Sequence, residues 1–334
     1  MSDHRSTEPR GSGLAEPAAH ILRHSPWVRV AVRLAALALV AFLALRLRQL
    51  WQQSPVDLSA ADTSILAIAG IMSLVAVVAY GSVWPFILRQ IGAPIPSGAV
   101  RLFLQSQLGK YLPGSVWHYA GRIGLARTRG VAVRSTLVSL GVEVGASALA
   151  AVIVGLFVLP LTLAAPLAFA VAAAVAVIGL APGRTPQRLF DPLIRVTRRI
   201  VPVSVVDMRQ ALRALPPATA LYVPVWALYG VAFWLVARAL FPIPTTDIVF
   251  FTAAFALGWL AGMLVVFAPG GIGVREAVLV GLLAPRVGHA EAIVIAGASR
   301  ILLTAADLVG GGAALALSRL QLGRVSAAAG RGGK

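Results

Sequence analysis

Seven apolar runs, each long enough to cross a bilayer, dominate this chain and leave few ways for it to fold. They lie near residues 30–47, 63–84, 136–159, 161–181, 218–241, 247–267 and 290–317. A membrane span needs roughly 17 to 25 apolar residues, and in hydrocarbon the backbone must satisfy its own hydrogen bonds, as a helix does. With 58% hydrophobic and only 12% charged residues over 334 positions, the chain reads as an all-α polytopic membrane protein.

Charge sets the orientation. There are 29 Lys and Arg against 12 Asp and Glu, a formal net charge of +17. In a soluble chain that excess would suggest nucleic acid, but here the arginines sit between apolar runs, as loops facing anionic lipid do. Arg89, Arg101, Lys110, Arg122, Arg127, Arg129 and Arg134 fall between the second and third runs, and Arg184, Arg188, Arg195, Arg198, Arg199, Arg209 and Arg213 follow the fourth. The links near Pro160 and Pro242 to Pro244 carry no Lys or Arg. The positive-inside rule then predicts a multi-pass protein of the cytoplasmic membrane with both termini in the cytoplasm. Residues 1–26 are expected to be a disordered cytoplasmic N-terminus. Residues 27–318 form the transmembrane domain, with a basic cytoplasmic loop at 182–216, and residues 319–334 a basic, flexible tail. The polar leader is too long for a typical signal peptide, so the first run is expected to be a retained span. The absence of cysteine removes disulfides and thiolate metal sites.

Two further segments, near 97–130 and 271–285, are interrupted by Pro-Gly. The first reads Gly109-Lys110-Tyr111-Leu112-Pro113-Gly114-Ser115-Val116-Trp117-His118-Tyr119-Ala120-Gly121-Arg122, and the second Phe267-Ala268-Pro269-Gly270-Gly271-Ile272-Gly273-Val274-Arg275-Glu276. Proline lacks an N–H and glycine accepts positive φ, so each pair ends one helix and allows a sharp turn into the next. Two topologies fit: eight spans, or six spans plus two re-entrant or broken helical hairpins tipped by Pro113-Gly114 and Pro269-Gly270. In the second, the hairpins enter from opposite sides and form an inverted repeat, a recurring transporter plan. The shortness of 274–284 favours it.

Each break precedes an ionisable residue within the next span: Glu143 lies thirty positions after Pro113, and Arg300 thirty-one after Pro269. Charges at such depth are costly and point to function. Their opposite signs suggest a central ion pair between the halves, with Asp307, one helical face along from Arg300, as the alternative partner. Helices starting after Gly114 and Gly271 would offer free N–H groups and a positive dipole end to an anion such as a lipid phosphate; a kink with no ligand is the plain alternative. Arg275 could touch a headgroup or pair with Glu276. Trp117, Tyr119 and Tyr111 read as interfacial aromatics, and His118 has no second histidine at metal-ligand spacing. Gly141 and Gly145, and Gly258 and Gly262, have the small-xxx-small spacing of close helix packing. Gly271-Ile272-Gly273 lacks the third glycine and the preceding strand of a dinucleotide loop.

Taken together, the blocks resemble the lysylphosphatidylglycerol synthase transmembrane region family of flippase-like membrane proteins. The resemblance rests on Leu112-Pro113-Gly114 with Arg122, Glu143, the run from Ala268 to Ala277, and Arg300. It covers about residues 30 to 318 and implies a domain that moves aminoacylated or other polar lipids between leaflets. The stretch Ser115 to Ala120 departs from the family's more usual pattern of glycines and an acidic residue before the arginine.

The expected function is therefore non-enzymatic: a lipid flippase for a polar phospholipid or polyprenyl-phosphate-linked glycolipid. The expected substrate-binding residues are Pro113, Gly114, Arg122, Glu143, Pro269, Gly270, Gly271, Arg275, Glu276 and Arg300, with no metal or cofactor. Expected contacts are the lipid substrate, anionic inner-leaflet lipids along the arginine-rich loops, and lipid- or glycan-synthesis enzymes. The alternatives are a membrane-embedded lipid-phosphate glycosyltransferase, for which Asp191, Asp207 and Asp247 are too scattered, and a non-transporting partner of a lipid-synthesis complex. No Walker loop is present to supply ATP.

Overall fold

The computed structural model describes residues 60–111, 116–158, 205–264 and 273–331. The leader 1–26, the runs at 30–47 and 161–181, most of the loop 182–216, and Pro113, Gly114, Pro269, Gly270 and Gly271 lie outside the described residues. Every regular element within them is helical. We number the α-helices α1 (Thr63–Gln90), α2 (Ala99–Gln107), α3 (Trp117–Arg127), α4 (Val133–Gly155), α5 (Val205–Leu240), α6 (Ile248–Leu264), α7 (Val274–Val287) and α8 (His289–Arg331). Helices α1, α4, α5, α6 and α8 each contain a stretch long and apolar enough to span a membrane.

Two boundaries drawn from sequence need correction. Helix α5 already begins at Val205 and runs through Pro216 and Pro217, so the last third of the expected loop is helix. Membrane helices tolerate such prolines inside a packed bundle. Helix α8 likewise continues to Arg331, past the expected start of a flexible tail at 319, because the alanine-rich sequence there favours helix.

Two halves of the same plan, each a long helix, a two-limbed hairpin and a second long helix, build the bundle. The pairs α1–α2, α2–α3, α3–α4, α4–α5 and α4–α6 touch, and so do their counterparts α5–α6, α6–α7, α7–α8, α8–α1 and α8–α2. Specific contacts give the directions. Asp62 caps α1 by accepting from the N–H groups of Ser64 and Ile65, and its own N–H donates to Ala239 O at 2.8 Å. The start of α1 thus meets the end of α5. At their other ends Gly92 faces Gln210, so the two are antiparallel. Arg134 of α4 reaches Asp207 of α5, and further along Trp226 Nε1 donates to Ser147 O at 3.0 Å, so α4 and α5 are parallel. Gly70 faces Leu302 while Leu74 faces Gly310, so α1 and α8 are parallel. Helices α1 and α5 therefore run oppositely, as do α4 and α8, and the two halves are inverted.

Each hairpin returns to the end from which it started. In the first, Arg129 beyond α3 donates to the carbonyl and hydroxyl of Ser97 before α2, both at 3.2 Å. In the second, Arg286 at the end of α7 holds Asp247 before α6 at 3.0 Å and lies 3.9 Å from the Phe250 ring centre. The feet sit at opposite ends of the bundle. From its foot α2 climbs α8: Arg101 bonds Gln321, Gln105 bonds Ala314 O and Ser318, and Tyr111 reaches Asp307. The span from Gln321 to Asp307 is fourteen residues, about 21 Å of helix. The hairpin's inner end thus lies deep beside the long helix.

Glycine allows these close approaches at two places. A Cβ on Gly311 would stand 2.6 Å from Leu108 and 3.0 Å from the Leu104 carbonyl, so α2 could not lie so near α8 with any larger residue. On Gly258 it would meet Leu279 at 2.9 Å, which seats α7 on α6. Gly258 thus packs as its spacing predicts. Gly141 and Gly262 instead form part of a cavity wall.

Candidate functional site

Between the inner ends of the two hairpins lies a cavity of about 700 Å³. All five of the long helices, α6 among them as a limb of the second hairpin, and the first hairpin contribute to it. Its wall is mainly aromatic and apolar, with Tyr80, Trp226, Tyr229, Phe255 and Trp259, and carries Lys110, Glu143, Arg275, Arg300 and Asp307. A set of charges inside an apolar bundle persists only if each is paired or has a job.

Glu143, on α4, is almost fully buried, and it accepts a 2.5 Å bond from Nη1 of Arg122 on α3. Arg122 is wholly buried; its Nε donates to Ser106 Oγ at 3.2 Å, and its guanidinium lies 4.1 Å from the Phe103 ring centre. The pairing expected between Glu143 and Arg300 is thus replaced by one within the first half. Glu143 and Arg300 occupy matching depths, the eleventh and twelfth residues counted from Val133 and His289. Equivalent positions in an inverted repeat are related by its axis and need not be neighbours. The hairpin of each half packs directly on that half's second long helix, so the local charge wins.

In the second half, Arg300 lies 3.8 Å from Glu276 on α7. The Glu276 carboxylate also accepts from the N–H of Gly273 at 2.7 Å, the half of a capping box that a glycine allows. The start of α7 is therefore partly satisfied by its own side chain, where the sequence suggests open donors. Arg275 is 8% exposed and stacks over Phe255 at 4.4 Å, the counterpart of Arg122 over Phe103. Among the described residues no carboxylate lies within ion-pair distance of Arg275, and its Nη2 is buried without a hydrogen-bond partner.

Asp307, the suggested alternative partner of Arg300, is instead engaged from the first hairpin. Lys110 forms an ion pair with it, and Tyr111 Oη donates to the same oxygen at 2.6 Å. Tyr111 and Tyr119, expected at the membrane interface, line the cavity with His118. Of the expected site residues, Glu143, Arg275 and Arg300 line the cavity, while Arg122 and Glu276 stand behind it as the partners of Glu143 and Arg300. Lys110, Tyr111 and Asp307 were missing from the expected set. Asp307 had a signal, as an ionisable residue within a span, and Lys110 stands three positions before the first Pro-Gly.

Inverted halves, two clasped hairpins and a charged cavity between them define a multi-pass α-helical membrane protein. More particularly, the chain matches the family described as the lysylphosphatidylglycerol synthase TM region over residues 28–311, and it belongs to that family. Neither a curated protein nor a solved structure matches it.

Proposed function

We propose that this protein carries a polar lipid across the cytoplasmic membrane, its headgroup passing through the central cavity and its acyl or prenyl chains staying in the bilayer. The observation that supports this most is the cavity itself: about 700 Å³, charged, and lying between two inverted hairpins within an apolar bundle. Pockets that take a ligand of headgroup size fall in the range of about 300–1,000 Å³. In this reading the hairpins are re-entrant. Binding at the interface of inverted repeats fits alternating exposure by rocking one half on the other.

The substrate would be a phospholipid or a polyprenyl-phosphate-linked glycolipid. Among the described residues, the end of the bundle bearing the first hairpin's foot carries Arg89, Arg101, Arg127, Arg129, Arg134, Arg209, Arg213 and Arg319 with Asp207. The opposite end has Arg238 and Arg286 beside Asp62, Asp247 and Glu291. By the positive-inside rule the first end faces the cytoplasm and its anionic lipid. Carriage rather than catalysis is favoured because Asp207 and Asp247, the surface carboxylates a transferase would need, are each tied to an arginine.

The test is movement of a fluorescent phospholipid between leaflets of proteoliposomes, read by quenching from outside. Arg300→Ala and Asp307→Asn should each slow movement at least about tenfold, the loss expected when one charged contact is removed. Wild-type rates in both folded variants would refute the site.

A further inference from the structure

The inverted repeat contains the same device twice, but its charges balance in only one copy. In each half an arginine on the hairpin's second limb lies flat on a phenylalanine of the first, Arg122 on Phe103 and Arg275 on Phe255. In the first half the following long helix supplies Glu143, which neutralises Arg122. At the matching depth in the second half it supplies Arg300, a second cation. One carboxylate, Glu276, serves there, at 3.8 Å from Arg300 and already committed to the N–H of Gly273. Among the described residues, counting Arg122 and Glu276 with the charges that line the cavity, four cations face three carboxylates. The surplus falls on Arg275, more than nine-tenths buried and on the cavity wall beside the start of a fourteen-residue helix. Its Nη2 has no hydrogen-bond partner, as is true of Arg122 Nη2, but Arg122 has a carboxylate on Nη1 and Arg275 meets none among the described residues.

From this asymmetry we infer that the second half holds an anion site, formed by Arg275 and Arg300 at the start of α7, for the phosphate of a net-anionic ligand. Guanidinium pairs with phosphate in a planar, two-pronged geometry, and a helix start adds the favourable end of its dipole. The first-half copy is self-neutralised and structural. A zwitterionic headgroup fits less well, because its cationic arm would lie beside two guanidinium groups with only aromatic faces, and no free carboxylate among the described residues, to receive it. The two on the wall are taken, Glu143 by Arg122, and Asp307 by Lys110 and Tyr111. The inference deepens the lipid-transport reading by naming the charge class of its substrate, and rests on that reading for the ligand's being a lipid.

Titration of the purified full chain in detergent with phosphatidylglycerol, phosphatidylcholine and inorganic phosphate tests it. Phosphatidylglycerol should bind at least about tenfold more tightly than phosphatidylcholine, and Arg275→Gln should weaken it by about 10- to 100-fold. Arg275→Lys should restore part of the loss, and Arg238→Gln, an exposed cation at the far end, should leave binding unchanged. Displacement of the lipid by inorganic phosphate in wild type but not in Arg275→Gln would show that the phosphate alone is recognised. Without displacement, selective lipid binding lost in Arg275→Gln still supports the site, with the lipid source required. Equal binding of the two lipids, or full phosphatidylglycerol affinity in a folded Arg275→Gln, overturns the inference. Anion binding without translocation would defeat the transport reading and leave this site standing, whereas charge-blind translocation would do the reverse.

Discussion

Replacing Glu143 with glutamine should destabilise the first hairpin more than any surface change, and the reason can be followed atom by atom. Arg122 is wholly buried, and among the described residues its one ion pair is the 2.5 Å contact with Glu143. Its remaining contacts, a bond to Ser106 and the faces of Phe103 and Trp84, cannot balance a full charge. Glutamine keeps the shape but removes the negative charge, leaving a buried, uncompensated guanidinium. Breaking such a pair from one side typically costs about 3–5 kcal/mol. Removing both charges with apolar residues of similar size, Arg122→Met with Glu143→Leu, should cost far less, because the desolvation penalty goes with the pair. Unfolding of the purified protein in mixed micelles, read by tryptophan fluorescence, measures both. Hydrogen exchange at the Arg129–Ser97 foot would localise the change to the first hairpin. A loss below about 1 kcal/mol for the single change, or a double variant as unstable as the summed singles, would refute the argument that the pair is held by burial.

The remaining predictions concern packing and the surface. Gly311→Ala brings a methyl group to 2.6 Å from Leu108 and 3.0 Å from the Leu104 carbonyl. It should lower stability by about 1–3 kcal/mol through overpacking, and a cysteine crosslink between α2 and α8 should form more slowly; an unchanged melting temperature would contradict the close approach. Asp207→Asn breaks the pair with Arg134, whose side chain is 47% exposed. The loss should be below about 1 kcal/mol and should shrink further as salt rises; a large, salt-independent loss would mean that the α4–α5 contact depends on more than this pair.

Much of this architecture was written in periodicity and punctuation. The apolar runs at 63–84, 136–159, 218–241, 247–267 and 290–317 became long helices because a bilayer leaves the backbone no other economical choice. The broken segment at 97–130 became two limbs, as proline and glycine require. The basic loop expected at 182–216 ended sooner, since α5 starts at Val205 and a packed bundle lets the helix run on through Pro216 and Pro217.

Position along a helix is a one-dimensional property, and the sequence alone determined it: which segments are apolar, where they break, and how deep each charge sits. Which charge meets which is a matter of neighbours around the helix, and only the packing of the two halves decided that. Glu143 went to Arg122, Asp307 to Lys110 and Tyr111, and Arg300 to the side of Glu276, because each hairpin lies against particular faces of the long helices. Tertiary structure alone also turned a dispersed excess of arginine into one buried cation, Arg275, with no carboxylate to meet it among the described residues.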